Sequence, residues 1–311
     1  MVPDISVLIP ARNEQRNIVG ALDSIAQQTG SLSIEILVGV NNSTDNTLEV
    51  VKEYAKEFDY NNNPTIVSIK AMNTRIGKAN TWNELLFEHA HSNHCVFMDG
   101  DIAVHPPSFE TLHRRLLENA NIAVAAGVKR DSFEQQIPED QWKQSNVVWI
   151  TGSLYMCNVQ RLVDRMNRAS FQTMPPTILS EDGWLTLLLS PDGYEKVYEA
   201  VCFHPPCVKF SDYYRKARRA RAADLQLKKD YPYLWSKISA DGRLESIRGV
   251  LDNACKQLSR GRTWRPSSIA KSLRNHLLFY VVLPFANWHG RRDHLSGRAT
   301  SNKGYWFEFK K

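Results

Sequence analysis

Two carboxylates flank a glycine in Asp99-Gly100-Asp101, directly after the apolar run Cys95-Val96-Phe97-Met98. A strand formed by that run buries its side chains, so both carboxylates fall at its exposed C-terminal edge, where open α/β sheets bind ligands. The same residues also suit an ordinary turn, because Asp and Gly are turn formers and a helix is expected just beyond, at Pro106-Pro107-Ser108. A second acidic pair, Glu181-Asp182, follows Ser180 ahead of an apolar run. That order fits a capped helix start, whose positive end favours acidic side chains.

Polar residues gather at the other expected strand ends. One strand ends in Pro10-Ala11-Arg12-Asn13-Glu14 and a second in Asn41-Asn42-Ser43-Thr44-Asp45, while the segment after a third supplies Asn73, Arg75, Gly77, Lys78 and Asn80. Backbone donors at helix starts, together with Arg and Lys, suit a phosphorylated ligand. Asp45 and Ser108 have a plainer use as helix caps, and Asp45 reads as a cap rather than a ligand contact.

The elements that must hold these residues alternate. Ile5–Ile9, Ile34–Val40, Ile66–Ile69, Cys95–Met98 and Ile122–Ala126 read as short buried strands. Between them, Arg16–Gln28, Asp45–Phe58, Lys78–His91 and Ser108–Glu118 carry apolar residues at helical spacing, as in Ile18, Leu22 and Ile25. This alternation predicts a mostly parallel sheet with helices on both faces. Beyond about residue 130 the pattern loosens, with Thr151–Leu162, Leu179–Leu189 and Lys209–Lys229 standing out in a region poor in strands; from about Asp241 the chain reads as helices, Leu244–Leu258 and Ile269–Val282.

Composition bounds the class. The chain has 311 residues, 42% apolar and 23% charged, enough for a sizeable core. Its five cysteines are an odd number, scattered and partly inside apolar runs, which argues against a disulfide framework and for a reducing compartment. No signal peptide is read at Met1-Val2-Pro3-Asp4, and the C-terminal apolar run Leu277–Ala286 is shorter than the roughly 20 residues that span a bilayer. The expectation is a cytoplasmic protein, free or peripheral on the inner face of the membrane. The net charge of +6 concentrates after Arg260, a field that favours anionic partners such as a nucleotide-linked substrate, acidic lipid or nucleic acid, and that equally fits a solvated basic tail.

Taken in order, "ISVLIPARNEQRNI", "LVGVNNSTDNT", "NTRIGKANTWNEL", "FMDGD", "TGSLYM", "SEDGWLTLLL" and "YYRKARRAR" resemble the inverting GT-A glycosyltransferases of family two, over roughly residues 5 to 225. The resemblance implies a Rossmann-like GT-A fold with a catalytic domain over 1–235, its nucleotide-binding half at 1–105 and its acceptor half at 106–235, followed by a helical, basic extension over 236–311. It implies transfer of a sugar from a nucleotide-sugar, with UDP-sugar favoured, to a hydroxyl acceptor. In the family the D-x-D element holds a divalent cation against the donor diphosphate; here Asp101 is expected as the Mn²⁺ or Mg²⁺ ligand, with Asp99 nearer the ribose or the metal's water shell.

Pro10, Arg12, Asn13 and Glu14 would cradle the nucleotide, with Gly100, Arg75 and Lys78 completing the donor side. At the end of the second strand the family commonly has an Asp pair, whereas Val40 and Asn41 stand here. An amide is a more ambivalent partner for a base than a carboxylate, which weakens the inference to uracil. The E-D element makes Asp182 the expected general base, with Glu181 orienting the acceptor or donor. Arg218 and Arg219 occupy the place of the family's Q-x-x-R-W element, although no Gln starts it and Ala220 stands where Trp is usual; their expected role is to grip the diphosphate, with a solvated basic helix as the alternative. His204 lies where some GT-A enzymes place a further metal ligand, and a structural histidine is the plainer reading.

Gly152, Ser153 and Trp184 are expected on the acceptor side, with Trp149 or Trp184 offering a ring face to a sugar. The residues do not name the acceptor; the resemblance implies a carbohydrate or lipid-linked hydroxyl, as in cell-surface polysaccharide or glycolipid synthesis. The segment around Leu277–Arg298 suits either an interfacial contact with anionic lipid or a helix packed on the catalytic domain. The competing classes are a nucleotidyltransferase of related fold, whose glycine-rich N-terminal signature is missing at Pro10–Glu14, and a non-catalytic basic binding module. Nucleic acid is not expected as a partner, because Asp99, Asp101, Glu181 and Asp182 make a poor surface for a phosphate backbone.

Overall fold

The computed structural model describes residues 2–130, 149–204 and 210–240, with side chains in the last stretch described for 218–238. The chain divides into two compact units, Met1–Pro206 and Cys207–Phe309. The position expected for the end of the catalytic domain, residue 235, falls inside a helix of the second unit.

In the first unit, β1 (Ile5–Ala11), β2 (Ile34–Val40), β3 (Ile66–Asn73) and β4 (His94–Met98) pair in parallel in the order β3-β2-β1-β4. β1 and β2 are almost wholly buried, as continuous apolar runs must be when a parallel sheet is covered on both faces. The crossover helices are α1 (Ile18–Ala26), α2 (Thr47–Glu57) and α3 (Lys78–Glu84), the last running into a π-type turn at Leu85–His89. Ile18, Leu22 and Ile25 of α1 are fully buried in the same core as Ile5, Val7 and Ile9 of β1. Burial of such a side chain contributes roughly 1.5–3 kcal/mol.

Past β4 the sheet changes character. A short β5 (Ala103–Val104) and α4 (Ser108–Glu118) lead to β6 (Val124–Arg130), β7 (Leu154–Asn158), α5 (Val159–Arg168), α6 (Glu181–Leu189) and β8 (Tyr194–Phe203). The described residues form one eight-stranded sheet, β3-β2-β1-β4-β7-β6-β8-β5. Four of its seven strand pairs are parallel, while β4–β7, β7–β6 and β8–β5 are antiparallel, so the mostly parallel expectation holds for the N-terminal half and gives way to a mixed sheet beyond it.

Strands β7 and β8 lie in the stretch that the sequence pattern leaves poor in strands. β8 is interrupted by Glu195, Lys196 and Glu199, and only alternate positions toward its end are buried. Ser108 is the first residue of α4 rather than its cap: its hydroxyl exchanges hydrogen bonds with the backbone of Val201 at 3.1 and 3.2 Å, tying α4 to β8.

In the second unit the described residues form α7 (Phe210–Asp230) and α8 (Pro232–Ala240). The helices expected from Asp241 onward and the candidate interfacial segment lie outside the described residues. Among the described residues, no helix is long and apolar enough to cross a membrane.

Candidate functional site

The C-terminal ends of β1, β2 and β4 meet the start of β7, the N-terminus of α6 and the end of β8. Cross-strand pairing of Phe97 with Tyr155 stacks their rings at 4.8 Å and 14°, and Trp82 of α3 packs on Phe97. This aromatic layer is buried beneath the acidic residues and fixes β4 against β7 and α3. Immediately above it the Asp99 N–H donates to Ser153 O at 3.3 Å, so the D-x-D turn and the Gly152-Ser153 segment are joined backbone to backbone.

Lys78, the first residue of α3, crosses between the two acidic elements. Its Nζ lies 2.8 Å from Asp99 Oδ1 and also pairs with Glu181 Oε1. Burial alone would pull the ammonium's pKa down, but Asp99 and Glu181 outweigh it and hold the value above that of an ordinary lysine. Burial also pushes the Glu181 carboxyl up, against the pull of Lys78 and with Asp182 and Asp99 adding to the rise. A charged Lys78 therefore binds Asp99 and Glu181 into one cluster.

Asp182 is held differently from Glu181. Its Oδ1 accepts from the Gly183 N–H at 2.9 Å and from the Ser180 hydroxyl, which in turn caps α6 by accepting from Gly183 N at 3.1 Å. Its Oδ2 accepts only the Gly152 N–H among the described residues, at 3.2 Å, which leaves lone-pair capacity on that oxygen. Of the two carboxylates, Asp182 Oδ2 is the one able to take a proton from a hydroxyl, because Glu181 is spent on Lys78.

On the opposite flank, His204 Nε2 stands 3.4 Å from Asp101 Oδ2. Two ligands at about 2.1 Å from one cation and at right angles to each other lie about 3 Å apart, so this pair fits two neighbouring positions of an octahedral oxygen- and nitrogen-rich sphere. Among the described residues no group of three or more His, Cys, Asp or Glu side chains is gathered for a metal. A two-ligand site suits a cation that completes its shell with substrate phosphates and water.

The residues expected on the nucleotide side are largely built into the scaffold. Arg12 and Glu14 are 9% and 6% exposed, and burial lowers the Arg12 pKa. Pro10 is part of β1, and Gly100 is buried with Ile9, Ile18 and the Glu14 side chain around its Cα. Asn13 adopts a φ of 55°, and its Oδ1 accepts from Thr44 N at 2.8 Å. Asp45 accepts from Thr47 N at 3.1 Å and from Gln15 N at 3.2 Å, so it closes a turn onto the first residue of α2 and braces the neighbouring loop, while the N-cap position expected for it belongs to Asn46. Arg75 pairs with Glu84 and Glu88 on α3 and the π-type turn.

Trp184 departs from its expected place. It is fully buried with Phe171 packed edge-on at 5.2 Å, so its ring belongs to the core under α6 and is not offered to a sugar. Its apolar neighbours in Trp184–Leu189 give the physical reason: every residue of that run is buried. Arg218 and Arg219 lie on α7, in the second unit. The sequence pattern missed Asn83, whose side chain makes two hydrogen bonds to the Met174 backbone at 2.8 and 3.1 Å and anchors the loop before α6 on α3.

The profile of the family described as Glycosyl transferase family 2 matches residues 6–170. The chain belongs to glycosyl transferase family 2. Among curated relatives, the Escherichia coli (strain K12) protein named uncharacterized glycosyltransferase YibD is 26% identical over 149 residues, 46% of this chain and 41% of that protein. The 4,4'-diaponeurosporenoate glycosyltransferase of Staphylococcus haemolyticus (strain JCSC1435) is 34% identical over 101 residues, 32% of this chain and 24% of that one. The matched stretches thus span less than half the length of these relatives. Among solved structures, the mannosyltransferase PcManGT from Pyrobaculum calidifontis, in complex with GDP-Man and Mn²⁺, superposes with a TM-score of 0.59 at 19% identity, over 99% of this chain and 88% of that one. A mycobacterial protein follows with a TM-score of 0.53 at 17% identity, over 73% and 74%. At these identities the likeness establishes the GT-A fold of this family 2 chain.

Proposed function

We propose that this family 2 protein is a metal-dependent, inverting glycosyltransferase that moves a sugar from a nucleotide-sugar, with a UDP-sugar as first candidate, to a hydroxyl of a carbohydrate or lipid-linked acceptor. The observation that carries the reading is the pairing of a free-sided carboxylate, Asp182 Oδ2, with an Asp101–His204 pair across the Lys78 bridge. Inversion needs one carboxylate to deprotonate the acceptor while the nucleotide departs from the opposite face of the sugar. Asp182 receives that proton on Oδ2, and the Gly152 and Gly183 N–H groups hold the carboxylate in place.

Asp101 and His204 would hold a divalent cation, with Asp99 beside them. When bound, Mn²⁺ or Mg²⁺ supplies positive charge to the donor diphosphate as it leaves. Mn²⁺ is present in the PcManGT complex, whose donor is GDP-Man, so a GDP-sugar is the second donor to assay. Lys78 keeps Glu181 neutralised and Asp99 oriented, leaving Asp182 as the base.

The test is a transfer assay with UDP- and GDP-sugars and Mn²⁺ or Mg²⁺, using wild type and Asp182→Asn. We expect one donor class to turn over, metal to be required, and Asp182→Asn to lose about 10²–10⁴-fold in rate with donor affinity retained. Unchanged turnover in that variant removes Asp182 from the base role, and retained anomeric configuration in the product refutes inversion.

A further inference from the structure

The sequence motifs pass over Lys129, and the fold brings it to the candidate site. It is the sixth residue of β6 (Val124–Arg130), is half-buried, and pairs in register with Cys202 of β8, two residues before His204. On its other side β6 is flanked by β7, and because that pair is antiparallel the residues after Ala126 run past those before Tyr155, toward Ser153 and Gly152. The end of β6 thus lies between the segment that holds Asp182 and the strand that leads into His204, about 4.8 Å from each. Gly127 permits this closeness: a Cβ there would stand 2.9 Å from both Ala200 O and Leu154 Cδ2.

Register also sets the face. Paired residues of neighbouring strands project to one side of the sheet, so Lys129 shares a face with Cys202, and Arg130 turns to the other. The electrostatics agree: burial pushes the Cys202 thiol up to about 12, Asp99 and Asp101 add to the rise, and Lys129 opposes it. Lys129 therefore stands on the D-x-D side of the sheet end. The charges around it single it out. Of the cations expected to meet a phosphate, Lys78 is engaged by Asp99 and Glu181, and Arg75 by Glu84 and Glu88. Arg12 is buried, and Arg218 and Arg219 belong to the second unit. The Lys129 ammonium makes no ion pair or hydrogen bond among the described residues. A half-buried ammonium with no carboxylate of its own keeps its charge for a ligand.

We propose that Lys129 is a further donor-binding and catalytic residue, whose ammonium engages the diphosphate of the nucleotide-sugar and neutralises the charge that gathers there during transfer. The bond from the anomeric carbon to the phosphate oxygen breaks, its electron pair stays on the leaving nucleoside diphosphate, and an ammonium already in place lowers the energy of that charge. A lysine meets phosphate as a point charge on a flexible stem, so it can follow the group as it leaves. The proposal rests on the nucleotide-sugar reading above and adds a residue to its donor site.

The experiment is calorimetric titration of the full chain, wild type, Lys129→Met and Lys129→Arg, with UDP, GDP, UMP and GMP at saturating Mn²⁺, joined to steady-state kinetics with the donor that turns over. Each monophosphate shares base and ribose with its diphosphate, so the ratio of the two affinities reads contact with the terminal phosphate. We expect wild type to bind UDP or GDP at least tenfold more tightly than the matching monophosphate. Lys129→Met should lower both that ratio and kcat at least tenfold, and Lys129→Arg should restore most of each. Equal wild-type affinity for diphosphate and monophosphate overturns the proposal, and this readout does not depend on a variant folding. A folded Lys129→Met that keeps the wild-type ratio and kcat overturns it too, as does one that keeps the ratio and raises only the acceptor KM, which would give Lys129 to an anionic acceptor instead. If no nucleotide binds wild type, the nucleotide-sugar reading falls and the proposal with it, whereas diphosphate binding that Lys129→Met leaves unchanged removes only the role of Lys129.

Discussion

Gly152 and Asp182 are fitted to each other: the glycine N–H donates to Oδ2 at 3.2 Å, and a Cβ on residue 152 would stand 2.7 Å from that same oxygen. Glycine is required here for close approach, because its φ is not in the left-handed region, so the turn closed by Leu154 N and Thr151 O does not itself demand glycine. Gly152→Ala must therefore push the carboxylate out of place. We expect its kcat to fall at least tenfold with the donor KM little changed, since a small displacement of a reacting group costs much of its effective concentration. Steady-state kinetics with varied donor and acceptor check this; a variant with wild-type kcat would show that Asp182 need not sit against residue 152.

Asp101 and His204 make a separate prediction through the metal. The pair's 3.4 Å separation suits adjacent positions on one cation, to which each residue would supply one ligand. His204→Ala should raise the Mn²⁺ concentration needed for half-maximal donor binding about tenfold or more, with affinity recovered at saturating metal. Asp101→Ala should abolish the metal dependence of donor binding. Calorimetry at several Mn²⁺ concentrations separates these outcomes, and an unchanged metal requirement in His204→Ala would assign the histidine a structural role.

Local patterns made much of this legible. Ile34–Val40 reads as a strand and is one, because seven consecutive residues, apolar but for Glu35 and Gly39, can only be buried in a covered parallel sheet. Asp99 and Asp101 stand out because a short polar motif follows an apolar run, and Asp182 because an acidic pair precedes one. β8 hides because three of its ten residues, Glu195, Lys196 and Glu199, are charged and break the apolar pattern, and the Lys78 bridge hides because Asp99 and Glu181 reach it only through the fold. Trp184 misleads for the converse reason: an aromatic residue next to an acidic pair looks like a sugar platform until the helix turns it inward.

Tyr155 carries a stability prediction. Its ring is fully buried and its hydroxyl has no hydrogen-bond partner among the described residues. Burial pushes its pKa well above the ordinary value, with Glu181 adding to the rise, so the hydroxyl stays protonated. An unsatisfied buried hydroxyl costs free energy that phenylalanine does not. Tyr155→Phe should be as stable as wild type or more stable by up to about 1 kcal/mol, whereas Trp82→Ala, which empties the same aromatic layer, should lose about 3–5 kcal/mol. Chemical denaturation measures both, and a Tyr155→Phe loss exceeding 1 kcal/mol would reveal a partner for the hydroxyl.

The far end of the sheet sets a pH dependence. Burial lowers the His94 pKa to about 4, with His113 and Arg161 pushing the same way and Asp4 opposing. His113 is lowered too, first by burial and against the pull of Asp4 and Glu110. In the folded chain His94 Nε2 lies 3.3 Å from Asn158 Nδ2, so the ring nitrogen accepts and is unprotonated; the oxygen of that amide caps α5 by accepting from Arg161 N. The unfolded chain takes up the His94 proton near 6.5, and the folded chain resists it until about 4. Between those values the unfolded state binds more protons, so stability is full above about 6.5 and falls as pH drops toward 4. Thermal midpoints across that range should decline in wild type and decline less in His94→Gln, with His113 keeping part of the slope. Equal slopes in the two proteins would mean that His94 does not stay neutral in the fold.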